Sequence, residues 1–112
     1  PRLIGLRRTQ ELIFENRELS ATEAVEWGLA TRTVPEGTAL EFAIALASKF
    51  AKGPTQAFAS SRRMLHDSLN NDFFTQTDIE TREIGANMTG ADGQEGLEAF
   101  ISKRLPAFTG RQ

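Results

Sequence analysis

Residues 91–108, ADGQEGLEAFISKRLPAF, decide what kind of fold this chain can adopt. Asp92 followed three residues later by Glu95 predicts a helix start. In such a pairing the Asp side chain accepts from a free backbone N–H, the Glu reaches back, and both charges suit the positive end of the helix. Leu97, Phe100 and Ile101 then fall at i, i+3 and i+4, on one face. Lys103 and Arg104 are expected in the last turn, where cations complement the negative end. Pro106 is expected to stop the helix and leaves Phe108 to pack elsewhere. A short amphipathic helix of this kind cannot bury its own apolar face, so it must lie on another surface.

The same grammar recurs upstream. Pro1–Asn16 reads as a helix with Leu3, Leu6, Gln10, Ile13 and Phe14 along one face. Ser20 and Glu23 form a capping box for a second, short helix, with Leu19 placed to staple onto Ala24 and Gly28 to end it. Leu29–Val34 alternates roughly and predicts either a short edge strand or an extended connector closed by Pro35. Thr38–Lys52 carries a broad stripe of Leu40, Ala43, Ile44, Ala47, Phe50 and Ala51, with Lys49 and Lys52 in the last turn and Gly53 as terminator. Pro54 opens the next helix with almost no linker, and Ala57, Phe58, Ser61, Met64, Leu65 and Leu69 supply its expected buried side. Asp72 caps a fifth helix, Phe73–Met88, which Thr89-Gly90 breaks. The expected fold is all-α, about six short helices with at most one short strand.

Composition narrows the function classes. The 112 residues carry 13 basic and 15 acidic side chains, a net charge of −2, which argues against a dedicated nucleic-acid or membrane-surface binder. There is no cysteine, hence no disulfide or thiolate chemistry, and the single histidine, His66, rules out a multi-histidine metal site. No apolar run approaches the ~20 residues that span a bilayer, and a cytoplasmic location is expected. The chain opens Pro1-Arg2-Leu3-Ile4-Gly5, without Met and with apolar residues at once, which reads as a piece of something longer.

Catalytic machinery is hard to find in these residues. Glu80 and Glu83 share a helix face, but a solvated face explains them, as it explains His66 beside Asp67. Ser20 is accounted for by capping, Ser60 and Ser61 by packing, and none lies in a Gly-x-Ser-x-Gly elbow. Gly90, Gly93 and Gly96 are evenly spaced, yet Asp92 and Glu95 among them would repel a phosphate. Arg7-Arg8 and Arg62-Arg63 are ordinary surface pairs. Lys103-Arg104 beside Phe100 could receive an anion with an apolar tail; charge–dipole stabilisation of a helix end is the alternative.

The opening stretch resembles the C-terminal signature of the enoyl-CoA hydratase/isomerase (crotonase) family, D-x-x-E-G-x-x-A-F-x-x-K-R-x-P-x-F. Asp92, Glu95, Gly96, Ala99, Phe100, Lys103, Arg104, Pro106 and Phe108 match it, and Thr109-Gly110-Arg111 is a similar ending. Leu19–Pro35 resembles the family's helix and connector. Gly53-Pro54 and Pro1–Gly5 also fall in register, so the resemblance runs along the whole chain.

The resemblance implies that residues 1–112 are the C-terminal helical, oligomerisation region of a crotonase-like subunit. The N-terminal core that supplies the oxyanion-hole amides and the acid–base carboxylates would precede Pro1, so no catalytic residue and no metal ligand is expected here. It further implies a parent enzyme acting on acyl-CoA thioesters by 2-enoyl-CoA hydration or double-bond isomerisation, assembled as a trimer or hexamer. Phe100 would line the acyl or pantetheine pocket, Lys103 would reach a phosphate of the coenzyme A adenosine moiety, and Ile84 would be an apolar pocket residue. Coenzyme A would enter as part of the substrate, and no prosthetic group is implied. Arg62 stands where many relatives have Lys and receives no role. A non-catalytic helical oligomerisation module is the alternative, and a helix-turn-helix DNA binder is disfavoured by the acidic balance.

Overall fold

The computed structural model describes residues 1–110, and Arg111 of the family-like ending lies outside them. Within these residues six helices follow one another: α1 (Gly5–Glu15), α2 (Ala21–Glu26), α3 (Ala39–Ala51), α4 (Thr55–Asp67), α5 (Phe73–Thr89) and α6 (Ala91–Ile101). No strand occurs among the described residues, so the fold is all-α and Leu29–Val34 is a connector. Contacts divide the chain into two units, Pro1–Phe42 and the residues from Ala43 onward.

In the first unit, α1 begins four residues later than its sequence predicts, after a turn closed by Gly5 N–H donating to the Pro1 carbonyl at 2.8 Å. It ends on Asn16 in the left-handed region, φ 48°. The capping box of α2 forms as expected: Ser20 Oγ accepts from the Glu23 N–H, and Glu23 Oε2 accepts from the Ser20 N–H. Those contacts, led by the Ser20 N–H, hold the Glu23 carboxyl below its ordinary range. Gly28 adopts φ 76°, and the Gly28 and Leu29 amides close back on Val25 and Ala24 in a Schellman motif. Two guanidinium groups, those of Arg8 and Arg17, lie over the Trp27 ring, each 4.9 Å from its centroid. Arg17 also donates through Nε and Nη2 to Glu11 and pairs with Glu23 at 3.2 Å, which ties α1 to α2.

In the second unit α5 packs against both α4 and α6. Gly53 separates α3 from α4 where the chain turns tightest. A Cβ there would come within 2.6 Å of the Phe58 ring, which stands edge-on to Phe50 at 6.0 Å. Asp72 caps α5 by accepting from the Phe74 and Thr75 amides and the Thr75 hydroxyl, and its carboxyl is held low first by that hydroxyl.

The expected buried sides are largely uncovered. On α4 it is Ser60, not Ser61, that is buried, while Leu65 is exposed, and Leu69, also exposed, lies beyond the end of the helix. Leu40, Ile44 and Phe50 of the α3 stripe are exposed as well. Periodicity fixes which side chains share a face; what covers that face is not local information. Ala99, 1% exposed, is the one buried apolar side chain among the described residues. The 12.4 kDa chain presents 9097 Å² to solvent, against roughly 6,100 Å² for a folded monomer of that mass.

Candidate functional site

The site is built on α6 and the chain that follows it. Gly90 joins α5 to α6 in extended conformation (φ −70°, ψ 165°) and is the N-cap of α6, without a side-chain cap. That displaces Asp92 from the capping role its sequence predicts. Asp92 sits inside the first turn, 7% exposed, and its carboxylate is turned toward the tail of the chain. Oδ1 accepts from the Thr109 N–H at 2.7 Å and from its hydroxyl at 3.3 Å, and Oδ2 accepts from the Gly110 N–H at 2.8 Å. Glu95 does not reach back to a cap either. Its Oε1 accepts from the Ala107 N–H at 2.7 Å, and its two oxygens take the Arg104 guanidinium end-on, from Nη1 at 2.6 Å and Nη2 at 2.9 Å. This bidentate pair, then the Ala107 amide, holds the Glu95 carboxyl down at about 2.

The helix ends earlier than the Pro106 signal suggests. Ser102 is the C-cap, the Lys103 N–H donates to the Phe100 carbonyl at 3.3 Å, and the Arg104 N–H donates to the Ala99 carbonyl at 3.0 Å. This is a second Schellman motif, with Lys103 in the left-handed position, φ 52°, where glycine is usual. Lys103 and Arg104 are therefore beyond the helix and not in its last turn. Residues 104–110 return along α6 as a strap: Phe108 packs at Gly96, where an added Cβ would lie 3.5 Å from its ring, and the Gly110 carbonyl accepts from Gln56 Nε2 at 3.1 Å.

Two faces of α6 now have separate duties. Asp92, Gly96 and Ala99, at i, i+4 and i+7, face α5 and the strap, and Gly93 lets the two helix backbones touch, because a Cβ there would be 2.8 Å from Met88 Cα. Leu97, Phe100 and Ile101 point away and are exposed, Phe100 at 82%. The Lys103 ammonium has no hydrogen-bond or ion-pair partner among the described residues. Ile84, on α5, is more than half exposed.

A cavity of about 630 Å³ lies between α4, α5 and α6, with Ser60, Arg63, Glu83, Asn87 and Phe108 in its wall. Its polar groups are engaged with one another: Arg63 donates to Ser60 Oγ at 3.2 Å and pairs with Glu83 at 3.3 Å, and Asn87 donates to the Glu83 carbonyl. Phe100, Lys103 and Ile84 are not part of its lining, so the residues singled out by motif and the cavity occupy different places. Sequence reasoning misses the strap-holding role of the two carboxylates. Their only signal is the Asp92-x-x-Glu95 spacing, which reads equally well as a cap.

Comparison with known proteins identifies the family and the same helical fold. The enoyl-CoA hydratase/isomerase family model matches residues 1–111. The chain is 35% identical over 111 residues to a "Probable enoyl-CoA hydratase" of Rhodobacter capsulatus, covering 99% of this chain and 43% of that protein. It is 33% identical to the 1,2-epoxyphenylacetyl-CoA isomerase of Escherichia coli K12, again over 99% of this chain and 42% of the relative. The crystal structure of an enoyl-CoA hydratase from Bacillus anthracis superimposes with a TM-score of 0.89 at 35% identity, over 99% of this chain and 43% of that one. The chain belongs to the enoyl-CoA hydratase/isomerase, or crotonase, family. It spans about two fifths of the length of these relatives.

Proposed function

We propose that this chain is the helical, coenzyme A-facing and assembly-forming part of a cytoplasmic crotonase-type enzyme. In this reading the whole subunit acts on acyl-CoA thioesters, by 2-enoyl-CoA hydration or double-bond isomerisation through an oxyanion-stabilised enolate. The acid–base groups lie in the N-terminal core, and residues 1–112 contribute no catalytic side chain. Phe100 and Ile84 line the acyl or pantetheine path, and Lys103 receives a phosphate of the adenosine moiety.

The observation that carries this reading is the far end of α6. An ammonium at Lys103 that has no partner among the described residues stands three residues from an 82%-exposed aromatic, Phe100, inside the stretch that matches the family signature. A mobile point charge next to an apolar wall suits a ligand with a phosphorylated head and an apolar arm. Assembly as a trimer or hexamer is supported by the apolar side chains left exposed on α1 and α3, Leu6, Ile13, Phe14, Leu40 and Ile44 among them.

The test is a substitution in a subunit that carries this chain together with the family's N-terminal core. Lys103→Ala is expected to raise KM for an acyl-CoA much more than it lowers kcat, since the contact is remote from the reacting carbon. An unchanged KM would remove Lys103 from the site.

A further inference from the structure

The Lys103 backbone is held in a conformation that a lysine does not adopt by preference. Its φ of 52° lies in the left-handed region, which disfavours any residue with a Cβ. Two constraints keep it there. Upstream, the Schellman amides of Lys103 and Arg104 are bound to the carbonyls of Phe100 and Ala99. Downstream, Arg104 is clamped by both oxygens of Glu95, at 2.6 and 2.9 Å, and Oε1 of the same carboxylate holds the Ala107 amide. Glu98 adds a longer contact to Arg104, 3.8 Å. One Glu95 carboxylate thus anchors the chain at the residue after Lys103 and again three residues later, while the lysine side chain has no partner among the described residues.

We propose that Glu95 is a positioning residue for ligand binding: through Arg104 it fixes the direction in which Lys103 presents its ammonium. The inference rests on the reading of Lys103 as the phosphate-binding residue and goes beyond it, because Glu95 and Arg104 need not touch the ligand. Without the clamp the Lys103–Arg104 segment samples other backbone states, and the ordering it then needs is charged to binding.

The experiment is a calorimetric titration with coenzyme A of a subunit that carries this chain together with the family's N-terminal core, for wild type, Lys103→Ala, Glu95→Gln, and the double variant. The Glu95→Gln side chain retains an oxygen for the Ala107 amide while removing the ion pair. Arg104→Gln attacks the same clamp from the other side and serves if Glu95→Gln disturbs α6. Lys103→Ala is expected to weaken binding, Glu95→Gln and Arg104→Gln to weaken it about two- to tenfold, and the double variant to bind no worse than Lys103→Ala alone. Weakening by Lys103→Ala with full affinity in both clamp variants overturns the positioning role and leaves the Lys103 reading intact. Losses that add in the double variant also overturn it, because Glu95 would then act independently of Lys103. No binding by wild type, or no effect of Lys103→Ala, overturns both.

Discussion

Gly85 and Gly93 offer the same substitution in two packed helices with opposite expected outcomes. At Gly85, in α5, an added Cβ meets nothing within 4 Å. Alanine there should simply reduce the freedom of the unfolded chain and favour the helix, a gain of about 0.5–1 kcal/mol. At Gly93, in α6, the Cβ would run into the Asn87 carbonyl and come within 2.8 Å of Met88 Cα and its carbonyl oxygen. These are backbone atoms of α5 and cannot rotate aside, so the helices must separate. Overpacking costs typically about 1–3 kcal/mol, and with a rigid obstacle the upper end applies. After the propensity gain, Gly93→Ala is expected to destabilise the α5–α6 pair by about 2 kcal/mol. The assay is urea titration followed by the amide resonances of α5 and α6, which reads this pair directly. Gly85→Ala should raise the midpoint and Gly93→Ala lower it. Shifts of the same sign, or a Gly93→Ala variant as stable as wild type, would refute the close approach of the first turn of α6 to the end of α5.

Lys103→Gly should separate stability from binding. Relieving the left-handed lysine is expected to stabilise the end of α6 by about 1 kcal/mol, while loss of the ammonium weakens coenzyme A binding; a less stable variant would contradict the strained backbone. The depressed Glu95 carboxyl predicts an acid transition of the strap. The Glu95 contribution is fully present above its ordinary value of about 4.3 and is lost as pH falls toward about 2. The Ala107 amide shift should report a midpoint near that lower value, absent in Glu95→Gln, and a midpoint near 4.3 would remove the clamp. Light scattering should show the mass of the chain rising with concentration above 12.4 kDa, because its apolar helix faces are uncovered; a strict monomer at high concentration would count against the assembly role.

What could be read from the sequence is what short-range chemistry decides. The Ser20–Glu23 box, the left-handed Gly28 and the Asp72 cap all form as expected, since each needs only its nearest neighbours. Asp92 and Glu95 carry the same letters at the same spacing and do something else. Gly90 already occupies the N-cap, and the acids are claimed by amides 12 to 18 residues away. No local rule distinguishes those uses. Likewise the stripe on α3 is legible as a stripe, but Leu40, Ile44 and Phe50 stay more than half exposed, and only Phe50 meets another ring, that of Phe58. At the candidate site, Phe100 and Lys103 stand out through a family motif. The clamp behind Lys103 is visible only once the chain has reversed after Ser102.

A single sealed alanine methyl, that of Ala99, is too small to bind six helices into one unit that melts together. Slowing of backbone amide exchange would then be graded along the chain: deepest where α6 crosses α5, intermediate in the doubly capped α2, and slight along α3. Helices joined by the contacts above, α1 with α2 and α5 with α4 and α6, would open together, so exchange would report several opening reactions in place of one global event.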